Sequence, residues 1–179
     1  MIGLIAAVDP NWVIGVNGTM PWHYKADFKR FKVRTMGSTL IMGKATWESL
    51  PKPLPGRRAF VLTRNSAPTS KHPLDACKFY QDLPTAVRDA IGDSKMDDPS
   101  SPDIWFAGGA QIYEWALLHC AELDTVDLTF VPSSAEANGL LANPQITYFP
   151  HQALDGWVVD QEEVNGEDPR LTHRIYKRR

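Results

Sequence analysis

Cysteine is scarce in this chain: only Cys77 and Cys120 occur in 179 residues. They stand far apart and without CxxC spacing, which argues against a disulfide framework or a thiolate zinc site. The histidines (His23, His72, His119, His151 and His173) form no pair at helical spacing, so no metal centre is expected. Long apolar runs are missing too, and nothing approaches the ~20 residues of a membrane span. The apolar start Ile2–Val8 has no charged segment before it, and Asp9-Pro10 interrupts it too early for a signal peptide. Nor is there an excess of positive charge. Lys and Arg number 19 against 21 Asp and Glu, a formal net charge of −2, whereas a nucleic-acid binder needs a basic surface. The short basic end Lys177-Arg178-Arg179 reads as a solvated terminus. These absences describe a cytoplasmic, metal-free protein with no nucleic-acid or membrane partner.

The hydrophobic share of 43% and the charged share of 22% are ordinary for a globular protein, and the length suits one domain over residues 1–179. With no evident extra apolar face, a monomer is the default expectation. Short β-branched and aromatic runs recur between Gly, Pro, Asn and Asp. They predict strands at Ile2–Val8, Thr39–Met42, Ala59–Thr63, Ala76–Tyr80, Asp103–Ala107, Thr125–Val131, Gly156–Val164 and Leu171–Lys177. Helical periodicity lies between them at Lys25–Thr35, Lys44–Leu50, Leu83–Ile91 and Ala110–Cys120. The last of these carries Ile112, Ala116 and His119 on one side, with Tyr113 beside them. The stretches 92–102 and 132–150 read as loops. Alternating β and α elements imply an α/β fold with a mixed, mainly parallel central sheet of about eight strands and helices on both faces. The last two strands, joined by the short link 165–170, must form an antiparallel C-terminal hairpin at one edge.

In such sheets ligands bind beyond the carboxyl ends of the parallel strands. Two strand-to-helix junctions carry glycine there. In Ile41-Met42-Gly43-Lys44-Ala45-Thr46 the first N–H groups of a helix would face a strand end beside a lysine, a ready phosphate site. Phe106-Ala107-Gly108-Gly109-Ala110-Gln111 repeats the pattern. Neither is a GxGxxG or Walker motif, and either could be no more than a tight turn, but together they favour an extended anionic ligand such as a dinucleotide. Asp27 is the carboxylate of interest. If Phe28 and Phe31 face inward, Asp27 lies at the margin of their stripe, where desolvation would raise its pKa. The alternative is an exposed first-turn acid that complements the helix dipole. Trp22 is either a core anchor or an indole donor that orders water in a cleft, and Arg57 is either a surface charge or a carboxylate receptor.

Read together, these residues resemble the dihydrofolate reductase family, in its bacterial chromosomal form. The pattern runs almost continuously through Leu4-Ile5-Ala6-Ala7, Val13-Ile14-Gly15, Met20-Pro21-Trp22, Asp27-Phe28-Lys29-Arg30-Phe31-Lys32 and Thr35-Met36-Gly37. It continues through Gly43-Lys44-Ala45-Thr46-Trp47-Glu48-Ser49-Leu50, Pro53-Leu54-Pro55-Gly56-Arg57 and Val61-Leu62-Thr63-Arg64. Later landmarks are Gly108-Gly109-Ala110-Gln111-Ile112-Tyr113 and Leu128-Thr129. The match is weakest at 65–102 and 132–170.

The resemblance implies NADPH as cofactor, dihydrofolate as substrate and antifolate inhibitors as further ligands. It makes Asp27 the partner of the pterin N3–H and 2-amino group, with Thr129 in support. Ile5 and Ala107 would offer carbonyls near the pterin 4-position, Ala6 and Ala7 would line the ring, and Phe28 and Phe31 would pack on it. Ser49, Leu50 and Leu54 would flank the benzoyl segment, and Arg57 would grip the glutamate α-carboxylate. Ala7, Ile14, Gly15 and Met20 would lie near the nicotinamide. Residues 43–46 (Gly43, Lys44, Ala45, Thr46) and 109–112 (Gly109, Ala110, Gln111, Ile112) would wrap the pyrophosphate, and Gly108 and Tyr113 would also belong to the cofactor site. Leu62, Thr63, Arg64 and Lys44 would meet the adenosine end and its 2′-phosphate. The implied catalytic set is Asp27, Trp22, Met20 and Tyr113, and the segment from about Asp9 to Tyr24 would act as a lid. Four departures stand out. Ala107 is smaller than the family's usual aliphatic, Ala110 replaces a glycine, Gln111 replaces a common basic residue, and 132–150 lacks the Gly-Asp that braces the lid in some members. Two other functions fit the same pattern: a reductase of a related heterocycle, as in riboflavin synthesis, or a folate- or NADPH-binding protein without catalysis.

Overall fold

In the computed structural model, residues 1–65, 69–94, 103–132 and 145–179 are described. The central sheet is built from β1 (Ile2–Val8), β3 (Thr39–Gly43), β4 (Arg58–Leu62), β5 (Lys78–Tyr80), β6 (Ile104–Phe106), β7 (Thr125–Phe130), β9 (Trp157–Val164) and β10 (Thr172–Arg178). Its order is β5-β4-β3-β6-β1-β7-β10-β9. The pairs from β5 to β7 are parallel, while β10 runs antiparallel to both neighbours. The C-terminal hairpin is therefore an edge. All eight strands of the sheet lie where apolar runs between turn residues predict them, with ends shifted by one or two residues. The predicted Ala76–Tyr80 strand is shorter, because Leu74–Ala76 forms a 3-10 turn.

The helices α1 (Lys25–Thr35), α2 (Lys44–Ser49), α3 (Leu83–Asp93) and α4 (Ala110–His119) cover the sheet. Strand period sends alternate side chains to opposite faces. Ile2, Leu4, Val8, Ile41, Phe60, Ile104, Phe106, Val126 and Leu128 share one core with α3 and α4. Ile5, Leu40, Met42, Ala59, Val61 and Trp105 face the other way and enclose Trp47 of α2, with Phe31 of α1 packed against them. The near-continuous apolar reading of β1, β3 and β4 follows from this double coverage. In α4 the buried side chains are Ile112, Tyr113, Ala116 and Leu117. His119 is exposed, contrary to the expected stripe, and Cys120 is buried just past the helix end.

Two strands were not expected. β2 (Val13–Val16) pairs antiparallel with β8 (Ile146–Tyr148) as a separate ribbon, so part of the expected loop 132–150 is strand. Both segments are too short for a sequence period to register. The rest of that loop, 133–144, and most of the loop 92–102 lie outside the described residues.

The winding positions the site. From β1 the chain passes outward through β3, β4 and β5, then returns to place β6 between β3 and β1 before adding β7. That reversal opens a crevice at the carboxyl ends of β3, β6 and β1.

Candidate active site

Asp27 sits in the first turn of α1, one helical turn before Phe31. Sheet alternation aims Ile5 and Ala7 of β1, Asp127 and Thr129 of β7 and His173 of β10 at this side of the sheet. Burial pushes the Asp27 carboxyl above the ordinary carboxylate range. The Thr129 hydroxyl, as a hydrogen-bond partner, and the charge of Arg30 oppose the rise, while Asp127 adds to it. Asp27 is partly buried rather than an exposed first-turn acid. Phe28 does not face inward: it is 39% exposed and lies against His23, with ring centroids 4.7 Å apart.

Beneath Asp27 lies an ion cluster that the sequence reading missed. Asp127 is fully buried, with Oδ1 at 2.7 Å from an Arg30 Nη and Oδ2 accepting from Arg34 Nε at 2.9 Å. Arg34 also covers the Trp105 ring at 5.2 Å. An Asp inside the apolar run Thr125-Val126-Asp127-Leu128 is the one local signal that could have exposed it.

Further along α1, Phe31 packs with Leu50, Leu54 and Ala107 against the second core. Arg57 lies above the Phe31 ring at 5.8 Å, donating to Thr35 Oγ1 and to Pro55 O, each at 3.2 Å. Arg57 is therefore held at an apolar wall rather than left as a free surface charge. Ser49 is exposed at the rim and donates to Thr46 O at 2.7 Å.

The two glycine junctions meet. Gly43 N donates to Gly108 O at 2.8 Å, which sets the starts of α2 and α4 side by side. Neither helix has a side-chain N-cap, so the N–H groups of Lys44, Ala45, Thr46, Ala110 and Gln111 belong to two adjacent helix starts without side-chain acceptors. That combination suits the two phosphates of a dinucleotide. Gly108 has φ +108°, and a Cβ there would stand 3.3 Å from both Thr46 Oγ1 and Tyr113 Oη. A Gly108→Ala variant is therefore expected to weaken NADPH binding roughly tenfold through backbone strain. Binding of the substrate should weaken less. Fluorescence titration of each ligand checks this, and equal loss for both would contradict it.

Lys44 reaches Glu48 at 3.8 Å across one turn of α2. Thr63 N donates to Tyr80 O at 2.8 Å, Leu62 is partly buried beside it, and Arg64 is exposed. Tyr113 is buried and donates to Ile5 O at 2.9 Å, and burial raises its pKa far above the ordinary tyrosine value. This contact takes one lone pair of the carbonyl expected to face the pterin and leaves the second. Ala6 and Ile14 are partly buried against the first core, while Ala7 packs against Trp22, Tyr24 and Ala26. Trp22 is 8% exposed and its buried Nε1 has no protein acceptor. It is an anchor whose indole N–H is left without a protein partner.

The expected lid carries structure of its own. Asp9 accepts from Asn11 N at 2.8 Å and from Val13 N at 2.9 Å. Asn17 N donates to Gln145 O at 2.8 Å, and Gln145 N returns a bond to Asn17 Oδ1 at 2.9 Å. This reciprocal brace joins the lid to the 145–148 segment without a Gly-Asp pair. Met20 is 37% exposed at the end of the segment. Among the described residues, no cluster could hold a metal and no helix is long and apolar enough to cross a membrane.

Comparison with known proteins agrees with this geometry. A family model described as dihydrofolate reductase matches residues 1–177. The chain is 34% identical over 131 residues to a dihydrofolate reductase of Mycobacterium tuberculosis, covering 72% of this chain and 71% of that one. It is 32% identical over 173 residues to the type 3 dihydrofolate reductase of Salmonella typhimurium, covering 97% and 93%. The fold is shared with a dihydrofolate reductase from Enterococcus faecalis solved with NADP(H) and an inhibitor, RAB-propyl, with a TM-score of 0.77, 23% identity and coverage of 99% and 96%.

Proposed function

The chain belongs to the dihydrofolate reductase family, and we propose that it reduces dihydrofolate to tetrahydrofolate with NADPH in the crevice between α1 and the ends of β1, β6 and β7. The observation that carries this reading is Asp27, a carboxylate desolvated at the apolar margin of α1 and contacted by Thr129. A planar heterocycle with two adjacent donors, the pterin N3–H and 2-amino group, matches one carboxylate edge to edge. The family match does not favour the riboflavin-type alternative.

Each element of the crevice then has a task. Phe31, Leu50 and Leu54 form the wall for the benzoyl group, and Arg57 takes the glutamate carboxylate. Ile5 and Ala107 present backbone to the pterin 4-position, and Ala7 flanks the ring. The adjoining starts of α2 and α4 hold the pyrophosphate, Lys44, Thr63 and Arg64 the 2′-phosphate, and Ile14, Gly15 and Met20 the nicotinamide end. NADPH, when bound, supplies hydride to pterin C6. N5 must gain a proton, and Asp27 touches the opposite edge of the ring. The buried Trp22 Nε1–H beside Met20 instead holds a water as the proton carrier, while Asp27 orients the ring and raises the basicity of N5. One domain acting as a cytoplasmic monomer completes the reading.

Loss of reduced-nicotinamide absorbance on mixing the chain with NADPH and dihydrofolate tests it. Turnover is expected, and a folded chain that binds both ligands without turnover would overturn the proposal. Arg57→Leu should raise KM for dihydrofolate about 10- to 100-fold, the loss of a charge-assisted bidentate contact, with kcat little changed. A pterin substrate without the glutamate tail should not distinguish the variant from the parent.

A further inference from the structure

We propose that His173, held as its Nδ1–H tautomer by Asn165, turns the Thr129 hydroxyl toward Asp27 and is a positioning residue for the substrate-binding carboxylate. The inference rests on the reading of Asp27 given above.

The direction of this chain of hydrogen bonds is set at its outer end. The hairpin loop between β9 and β10 folds so that Glu167 N and Asp168 N both donate to Asn165 Oδ1, at 2.8 and 2.9 Å. Asn165 N itself donates to Leu171 O at 2.9 Å. Of the two ends of a side-chain amide only the oxygen can accept backbone N–H groups, so the amide of Asn165 has one permitted orientation. Its Nδ2 then faces His173 Nε2 at 2.9 Å. An amide NH2 can only donate, so Nε2 must accept, and a neutral imidazole carries its proton on Nδ1.

His173 and Thr129 are directly opposed across β10 and β7, with Nδ1 and Oγ1 at 3.0 Å. Nδ1–H therefore donates to Thr129 Oγ1. The hydroxyl accepts there and has its own hydrogen left to give, which a carboxylate oxygen can accept. Donors run from Asn165 through His173 to Thr129, and the remaining Thr129 hydrogen is the one that lowers the Asp27 pKa against the effect of burial.

The surroundings keep His173 neutral. It is 2% exposed, and an imidazolium would point Nε2–H at the Asn165 amide, donor against donor. Burial holds its pKa below the ordinary histidine value, helped by Arg30 on α1 and opposed by Asp127 on β7 and Glu163 on β9. Without His173 the Thr129 hydroxyl can rotate, and Asp27 loses a donor whose direction was fixed.

Two measurements test the proposal, and neither depends on turnover. The first is ¹⁵N NMR of His173 in the full chain. The expected result is a neutral ring with the proton on Nδ1 at neutral pH; a proton on Nε2, or a charged ring, would overturn the idea. The second is ¹³C titration of the Asp27 carboxyl in the His173→Phe, Thr129→Val and double variants. His173→Phe should raise the midpoint by about half a pH unit or more, the size of one oriented hydrogen bond. In the Thr129→Val background the same change should add nothing. No shift in the parent background, or an equal shift in both, would leave His173 a packing residue. Failure of the Asp27 reading itself would appear elsewhere, as undiminished turnover in Asp27→Asn.

Discussion

Asp27→Asn is expected to lower kcat/KM for dihydrofolate at neutral pH by about 10²- to 10³-fold, the loss associated with one preorganised electrostatic contact in a desolvated site. The amide keeps the shape but presents one acceptor and one donor to an edge of two donors, so one hydrogen bond becomes a repulsive contact. It also removes the negative charge that favours protonation of N5. The same variant should melt at a higher temperature than the parent at neutral pH. Burial raises the folded-state pKa of Asp27, so the folded chain binds this proton more tightly than the unfolded chain does. The stability linked to that proton is complete below the unfolded pKa and is lost as pH rises through the folded value. Asn carries no such penalty, and the gap between variant and parent should widen over that interval. Kinetics and pH-dependent melting check both halves. A variant that stayed fully active would remove Asp27 from the mechanism, and one less stable at neutral pH would contradict its desolvation.

Asp127→Asn is expected to destabilise the fold by about 3–5 kcal/mol, as for any buried ion pair broken on one side. Arg30 and Arg34 both end on this carboxylate, which is 0% exposed. Their charges would remain, partly buried, around a neutral amide. For a chain of this size that loss corresponds to a melting-temperature drop of roughly 6–20 °C. Replacing Asp127, Arg30 and Arg34 together by apolar residues of similar volume should recover much of it, because no charge is then left unpaired. Chemical denaturation of the single and triple variants provides the measurement. A single variant within about 1 kcal/mol of the parent would show that water reaches the cluster and screens it. The cluster also touches function, since Arg30 lowers and Asp127 raises the pKa of Asp27.

Much of the site was legible in the chain because its signals are local. Gly43 and Gly108 follow apolar strands and open helices, and the structure brings their junctions into contact through Gly43 N and Gly108 O. The order Pro21-Trp22, Asp27, Gly43-Lys44-Ala45-Thr46-Trp47 carried the family resemblance, and the match over residues 1–177 agrees with it. Phe28 is exposed although it shares a helical stripe with Phe31, because helical spacing says which residues share a stripe, not which side of a helix the sheet covers.

The sequence by itself determined the eight strands of the sheet, the four helices, the edge hairpin and the family. Each follows from a short-range period, a turn residue or a contiguous motif. Only the tertiary structure decided the β2–β8 ribbon, the Asn17–Gln145 brace, the Arg30–Asp127–Arg34 cluster and the pairing of His173 with Thr129. Those contacts join segments that are distant along the chain, and their partners are chosen by strand register and helix placement. A one-residue slip of β10 would send His173 to the opposite face of the sheet. Register is a property of the folded sheet, so the group that orients the Thr129 hydroxyl could be seen only once β7 and β10 were paired.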